Sequence, residues 1–252
     1  MKSFVLFCAV AVLSGCASTP HAAEIVDVSV YDRTSGRELH TYRSDGKLYV
    51  AGMPGNKYSI TVHNRKNKRV LTVVSVDGVN VINGETARVN QSGYVIDPVE
   101  KVEINGWRKS LDQVAAFVFT SVADSYAART GRGQNVGVIG VAVFEEKVRT
   151  DAIAPEARED RAGPAVPESA ARAPLESSDV RSRQQLGTGH GTRETSHAYY
   201  TDFERGTAKP AQIIKIYYDS YSNLIARGVI PQPGWKQRLP DPFPEQFVPD
   251  PA

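Results

Sequence analysis

The sequence predicts a mainly β body, and the stretch from Tyr58 to Trp107 predicts it most directly. Tyr58, Ile60 and Val62 alternate with Ser59, Thr61 and His63, which is the period-two pattern of a strand with one buried face. A polar turn, Arg65-Lys66-Asn67-Lys68, leads to a second apolar run, Val70-Leu71-Thr72-Val73-Val74-Ser75-Val76. Asp77-Gly78 and Asn83-Gly84 then interrupt the chain as hairpin turns do, because glycine reaches positive φ without steric cost.

The same grammar extends to both sides. Ile25, Val28 and Val30 open a first strand, and turns follow at Thr34-Ser35-Gly36, Ser44-Asp45-Gly46-Lys47 and Met53-Pro54-Gly55-Asn56, with Leu48-Tyr49-Val50 as a short strand between them. Beyond Asn83-Gly84, Gly93-Tyr94-Val95-Ile96 and Val102-Glu103-Ile104 read as strands stopped by Asp97-Pro98 and Asn105-Gly106. Ser110 is placed to cap a helical turn through Val114, and Ala116-Phe117-Val118-Phe119-Thr120 is strand-like. Asp124 to Arg129 has the look of a single helical turn before Thr130-Gly131. Val136 to Phe144 is the most apolar strand, and its glycines predict a bulge or a close backbone approach.

Turns recurring at about 8–12 residues indicate a sandwich or barrel of antiparallel strands. The expected body, residues 25–148, is therefore a β-sandwich, immunoglobulin-like or related, although the Cys-Trp-Cys signature is absent. This block resembles a group of exported proteobacterial proteins of unestablished activity, through Val74-Ser75-Val76-Asp77-Gly78-Val79-Asn80-Val81 and Gln91-Ser92-Gly93-Tyr94. The resemblance implies a coherent domain and no particular chemistry.

The N-terminus carries an address. Lys2 precedes the apolar run Phe4 to Leu13, the layout of a secretory signal; a permanent membrane helix needs about 20 apolar residues. The run ends in Leu13-Ser14-Gly15-Cys16, which resembles the lipobox of bacterial lipoproteins. The resemblance implies a signal peptide over residues 1–15, removal of that peptide, and a mature Cys16 bearing diacylglycerol on its thiol and an acyl chain on its amine. Residues 16–24 then form a tether. Ala17 following the Cys implies the outer membrane, facing the periplasm or the cell surface. Several acyl chains make such an anchor stable, since each buried CH₂ contributes roughly 0.8 kcal/mol. The alternative is ordinary cleavage near Ala22-Ala23, where His21 spoils the A-x-A-like site. Both cysteines of the chain lie in the first sixteen residues, so the body has to be held by its apolar core and not by disulfides.

From residue 149 to 183 Ala, Pro, Glu, Arg and Ser dominate and large apolar residues nearly vanish, the composition of a disordered linker. Residues 184–230 read as a βα unit. Gln212 to Tyr218 is a strand, and Asp219 or Ser220 caps a short helix whose Tyr221, Leu224 and Ile225 share a face. Gly228 and Pro231 close it. Such a short unit rarely holds a core alone, so it is expected to dock on the sandwich with Ile213–Tyr218 as an added strand. Residues 231–252 form a Pro-rich tail in which Trp235, Phe243 and Phe247 are available either to grip a partner or to pack back on the body.

A formal net charge of +2 over 252 residues argues against nucleic acid as a partner. The cluster Arg65, Lys66, Lys68 and Arg69 reads as a solvated turn. The best candidate for chemistry is His190-Gly191-Thr192-Arg193-Glu194-Thr195-Ser196-His197. On a helix His190, Glu194 and His197 would share a face and could hold zinc with an open position. Gly187, Gly189 and Gly191 disfavour that helix, and the H-E-x-x-H order is missing, so a turn-rich loop with polar His side chains is the competing reading. The glycines also lack the Lys-Ser/Thr ending of a phosphate-binding P-loop. Ser75, Ser92 and Ser196 occur with His63, His190 and His197, but no G-x-S-x-G elbow is present. Asp77 reads as turn chemistry.

The expected function is non-catalytic: a lipid-anchored envelope protein, requiring no cofactor, that binds another envelope protein through sheet edges, the Gly/His segment and the tail around Trp235. The alternative is an envelope hydrolase, metal-dependent or serine-based, centred on His190, Glu194 and His197.

Overall fold

The computed structural model describes residues 24–147 and 185–232. The signal peptide, Cys16, nearly all of the tether, the linker and Trp235 with most of the tail lie outside the described residues. Among the described residues no helix is long and apolar enough to cross a membrane.

The expected mainly β body is present, built of two seven-stranded sheets. In the first, β1 (Val26–Asp32) pairs with β2 (Arg37–Glu38) and β5 (Lys57–Asn64). Strand β5 also meets β9 (Lys101–Ile104) and β11 (Gln113–Ser121), and β11 pairs in addition with β10 (Gly106–Arg108) and β13 (Leu186–Thr195). In the second sheet the path runs β3 (Thr41–Ser44), β4 (Lys47–Gly52), β14 (Gln212–Ser220), β12 (Val138–Glu145), β6 (Val70–Val76), β7 (Val79–Asn80), with β8 (Tyr94–Ile96) also on β6. Two short helices, α1 (Tyr126–Arg129) and α2 (Tyr221–Ala226), are capped by the Ser125 and Ser220 hydroxyls, which accept orphan N–H groups of the first turn.

The alternation read from the sequence sets the inner faces. Tyr58, Ile60 and Val62 of β5 are fully buried and face Val74, Val76, Ile139, Val141, Ile216 and Tyr218 in one core. The unbroken apolar run of β6 has a second cause. Its outward residues Leu71 and Val73 join Ala142 and Phe144 beneath Phe203, and the Arg205 guanidinium lies 4.3 Å from the centre of the Phe144 ring. The chain between β13 and β14 thus straps the outer face of the second sheet, while α2 covers Tyr49 and Tyr217 through Leu224 and Ile225.

Several expectations are corrected. In residues 184–230, β13 lengthens the first sheet, and β14, which holds Ile213–Tyr218, fills the slot between β12 and β4 in the second. The β14–β4 pairing is parallel, so the body is not wholly antiparallel. Ser110 caps no helix; the N–H groups of Lys109 and Ser110 donate to Gln113 O in a turn joining β10 to β11. Gly140 marks a close approach and not a bulge. Strand β12 keeps register with both neighbours, and a Cβ on Gly140 would stand 2.8 Å from Ser75 Oγ. Leu186 to Gly191 is a strand where a turn-rich loop was the competing expectation, because its glycines admit close neighbours: a Cβ on Gly187 would meet Ser125 Cβ at 2.6 Å.

Asp77 is the largest departure. Asp77 and Gly78 both have positive φ, 53° and 73°, between the paired Val76 and Val79, so they form the type I′ hairpin turn expected of an Asp-Gly pair. The side chain, however, leaves the turn and enters the core. Its carboxylate accepts from Gly137 N at 2.9 Å, from Thr188 N at 2.8 Å and from the Tyr218 hydroxyl. Tyr218 has one proton to give, so Thr188 Oγ1 donates to Tyr218 OH at 2.6 Å and Tyr58 OH donates to Thr188 Oγ1 at 2.7 Å. A one-way chain of hydroxyls thus joins β5 and β13 of one sheet to β14 and the β6–β7 turn of the other. Nearby, Asp219 of β14 accepts from Leu186 N at 3.2 Å, so carboxylates from the second sheet serve the outer edge of β13 where a neighbouring strand would otherwise lie.

Burial raises the Asp77 carboxyl to about 6, and the bonds from Tyr218, Thr188 and Gly137 oppose that shift. The folded-state value lies above the unfolded one, so the folded chain holds this proton more tightly. Stability is then full below the unfolded value, near 4, and falls as pH rises to about 6, by ~3 kcal/mol. In urea denaturation at pH 4 to 7, Asp77→Asn, which keeps the left-handed backbone, is expected to lose this slope relative to the parent chain. Tyr218→Phe removes one donor to the carboxylate and is expected to lower stability by about 1–3 kcal/mol at neutral pH.

Candidate functional site

The segment singled out for chemistry lies on β13, paired along its length with β11. His190 stands opposite Phe117 and Arg193 opposite Ala115, with a register shift between them. One extra residue on the β13 side, around Gly191 and Thr192, makes this a β-bulge. In an unbroken strand residues 190 and 194 would share a face; a single inserted residue puts them on opposite faces. The surroundings agree with that. The His190 ring lies 5.7 Å from Tyr126 and 6.3 Å from the buried Trp107, on the side facing the second sheet. Glu194 lies on the outer side, bonded to Lys57 at 2.8 Å and Arg33 at 2.7 Å. Gly191 permits the bulge, since a Cβ there would stand 2.8 Å from Ala116 O.

His197 is further along, past the end of β13, with its Nδ1 3.0 Å from Asp112 Oδ1 and both side chains open to solvent. The strand and its bulge therefore replace the helical face on which His190, Glu194 and His197 could have met. Among the described residues no group of three or more His, Cys, Asp or Glu side chains is placed to hold a metal ion. The serines and remaining histidine are equally dispersed. Ser75 lies against β12, Ser196 Oγ accepts from Arg108 at 3.1 Å, and His63 of β5 sits beside Asp27 of β1. The basic turn is partly neutralised, with Arg65 on Asp27 and Arg69 on Glu146. Trp235 and Cys16 lie outside the described residues.

Sequence reasoning did not find the surroundings of His190. Helix α1 and the residues after it lie beside the start of β13 and leave an open cleft of about 330 Å³, lined by Asp124, Tyr126, Arg129, Thr130 and His190. Tyr126 carries Arg132 at 5.7 Å and Lys109 at 6.0 Å from its ring centre. The His190 imidazole is held below its ordinary value, first by partial burial and then by the charges of Lys109 and Arg193. Glu194, by contrast, is lowered by Lys57 and Arg33 against the opposing effect of burial. No local signal marks it: Lys109, Arg129 and Arg132 come together with His190 only once β13 lies on β11.

No known family model, curated protein or solved structure matches this chain.

Nuclear magnetic resonance titration of the His190 ring is expected to place its midpoint below 6.5, the ordinary value. Lys109→Gln should move that midpoint upward, because a cation that disfavours the imidazolium is removed. An unchanged midpoint in this variant would show that Lys109 does not contribute to the shift.

Proposed function

We propose that this chain is a lipid-anchored protein of the bacterial envelope, attached through Cys16 to the outer membrane, whose β body works by binding and not by turnover. The observation that carries the proposal is the lipobox-like Leu13-Ser14-Gly15-Cys16 at the end of a short apolar run. The anchored body is the two-sheet sandwich, and its binding element is the open cleft beside β13, with an envelope component as partner. The separation of His190, Glu194 and His197 by the bulge supports binding over metal-dependent hydrolysis, since catalysis requires reacting groups held within hydrogen-bond reach of one another.

Fractionation of cells making the chain tests the anchor. The parent protein is expected in the membrane fraction with a lipid-modified Cys16 by mass spectrometry, and Cys16→Ser in the soluble fraction. An unmodified amino terminus downstream of residue 16 would remove the anchor. Purified protein carrying stoichiometric zinc that disappears in both His190→Ala and His197→Ala would restore the hydrolase reading.

A further inference from the structure

We propose that the cleft between α1 and β13 binds a phosphate monoester, with Arg129 on its wall and Lys109 over Tyr126 as its cationic contacts and His190 beside them. The inference deepens the binding role argued above and depends on the cleft being the recognition element; it does not depend on the Cys16 anchor.

The side chains around the cleft differ in what they have left to offer. Asp124, the carboxylate on the cleft wall, already accepts from Ser121 Oγ at 2.8 Å. Thr130 Oγ1 donates to Tyr126 O at 2.8 Å and accepts from Arg132 at 2.9 Å, and Arg132 gives its other end to Gly84 O at 2.8 Å. Thr130 and Arg132 are thus turned to the fold, and Asp124 leaves one exposed carboxylate on the wall. Arg129 and Lys109 are not: neither side chain has a carboxylate or hydrogen-bond partner among the described residues. Trp107 is 2 % exposed and its indole Nε1, itself closed off from solvent, has no acceptor among the described residues, so the indole reports on the cleft without touching its occupant. The Trp107 ring lies 5.0 Å from Tyr126, on the cleft wall.

Arg129 and Lys109 thus offer N–H donors and two positive charges against the single Asp124 carboxylate. A neutral ligand can meet the donors but not the charge; an acceptor-rich anion meets both. Guanidinium groups favour oxyanions that take parallel N–H bonds, and a dianionic phosphate monoester suits several cations better than a single carboxylate does. The concentration of like charge in an open concavity raises the local density of anions. Such a phosphate could be carried by a soluble sugar or by a lipid, and the cleft chemistry is the same for both.

The test uses the full chain in an uncharged detergent, followed by nuclear magnetic resonance of the Trp107 indole N–H, distinguished from Trp235 by Trp235→Phe, and of the His190 ring. Glucose 1-phosphate is one probe, and phosphatidic acid incorporated in the micelles is the other, with glucose and undoped micelles as controls. A saturable shift with glucose 1-phosphate is expected, weakening as salt is raised and becoming roughly tenfold weaker in Arg129→Gln or Lys109→Gln. A shift with phosphatidic acid alone, equally sensitive to both variants, also supports the site and identifies the source as lipid. No saturable shift with either probe, the same shift with glucose, or a shift unaffected in both variants overturns the proposal. Thermal melting of the variants confirms that they fold, and a negative result here leaves the Cys16 fractionation result untouched.

Discussion

Two sheets packed face to face can slide and rotate, because apolar contact has no direction. Here the chain from Tyr58 through Thr188 and Tyr218 to Asp77 supplies direction. Each hydroxyl has one proton, and each must be given to the next group if the carboxylate is to be satisfied. That requirement fixes β13 against β14 to within hydrogen-bond tolerance at a level where the surroundings are otherwise Phe117, Phe119 and Ile139. Satisfying a buried carboxylate in this way has a cost in desolvation, which shows as its raised affinity for a proton. Specific alignment of the two sheets is what the fold gains.

The placement of the candidate site depends on the same alignment. Once Thr188 is tied to the second sheet, the residues after it are committed to run along β11, and His190 arrives beside Trp107 and Tyr126. The bulge at Gly191 then sends Glu194 to the opposite side, where Lys57 and Arg33 neutralise it. One inserted residue therefore divides a short polar stretch into an inner imidazole in a cationic cleft and an outer carboxylate in an ion-pair network. These are different environments with no shared chemistry.

Much of the body was legible in the sequence. Period-two alternation identified β5, and Asp-Gly pairs identified turns, since those signals come from one residue and its nearest neighbours. The Ser110 misreading has the opposite origin: a hydroxyl before Leu111-Asp112 has capping potential, but pairing of β10 with β11 takes those residues into a turn. Gly187 to Gly191 read as a loop because glycine is poor in strands; the reason for those glycines, the nearness of Ser125, Val136 and Ala116, is a long-range fact. Asp77 shows both limits at once. Its backbone was predictable from Asp-Gly, and its side chain was not, because the partners Gly137, Thr188 and Tyr218 come from far along the chain. The cationic cleft was hidden for the same reason.

The position of β14 has a consequence for vectorial synthesis. A nascent chain that has been made only through β12 already carries most of both sheets, yet β4 and β12, which should flank β14, have nothing between them. Asp77 likewise lacks the Thr188 and Tyr218 groups that complete its shell. Closure of the body therefore waits on β14, the last strand among the described residues, and long-range pairing of this kind is slow.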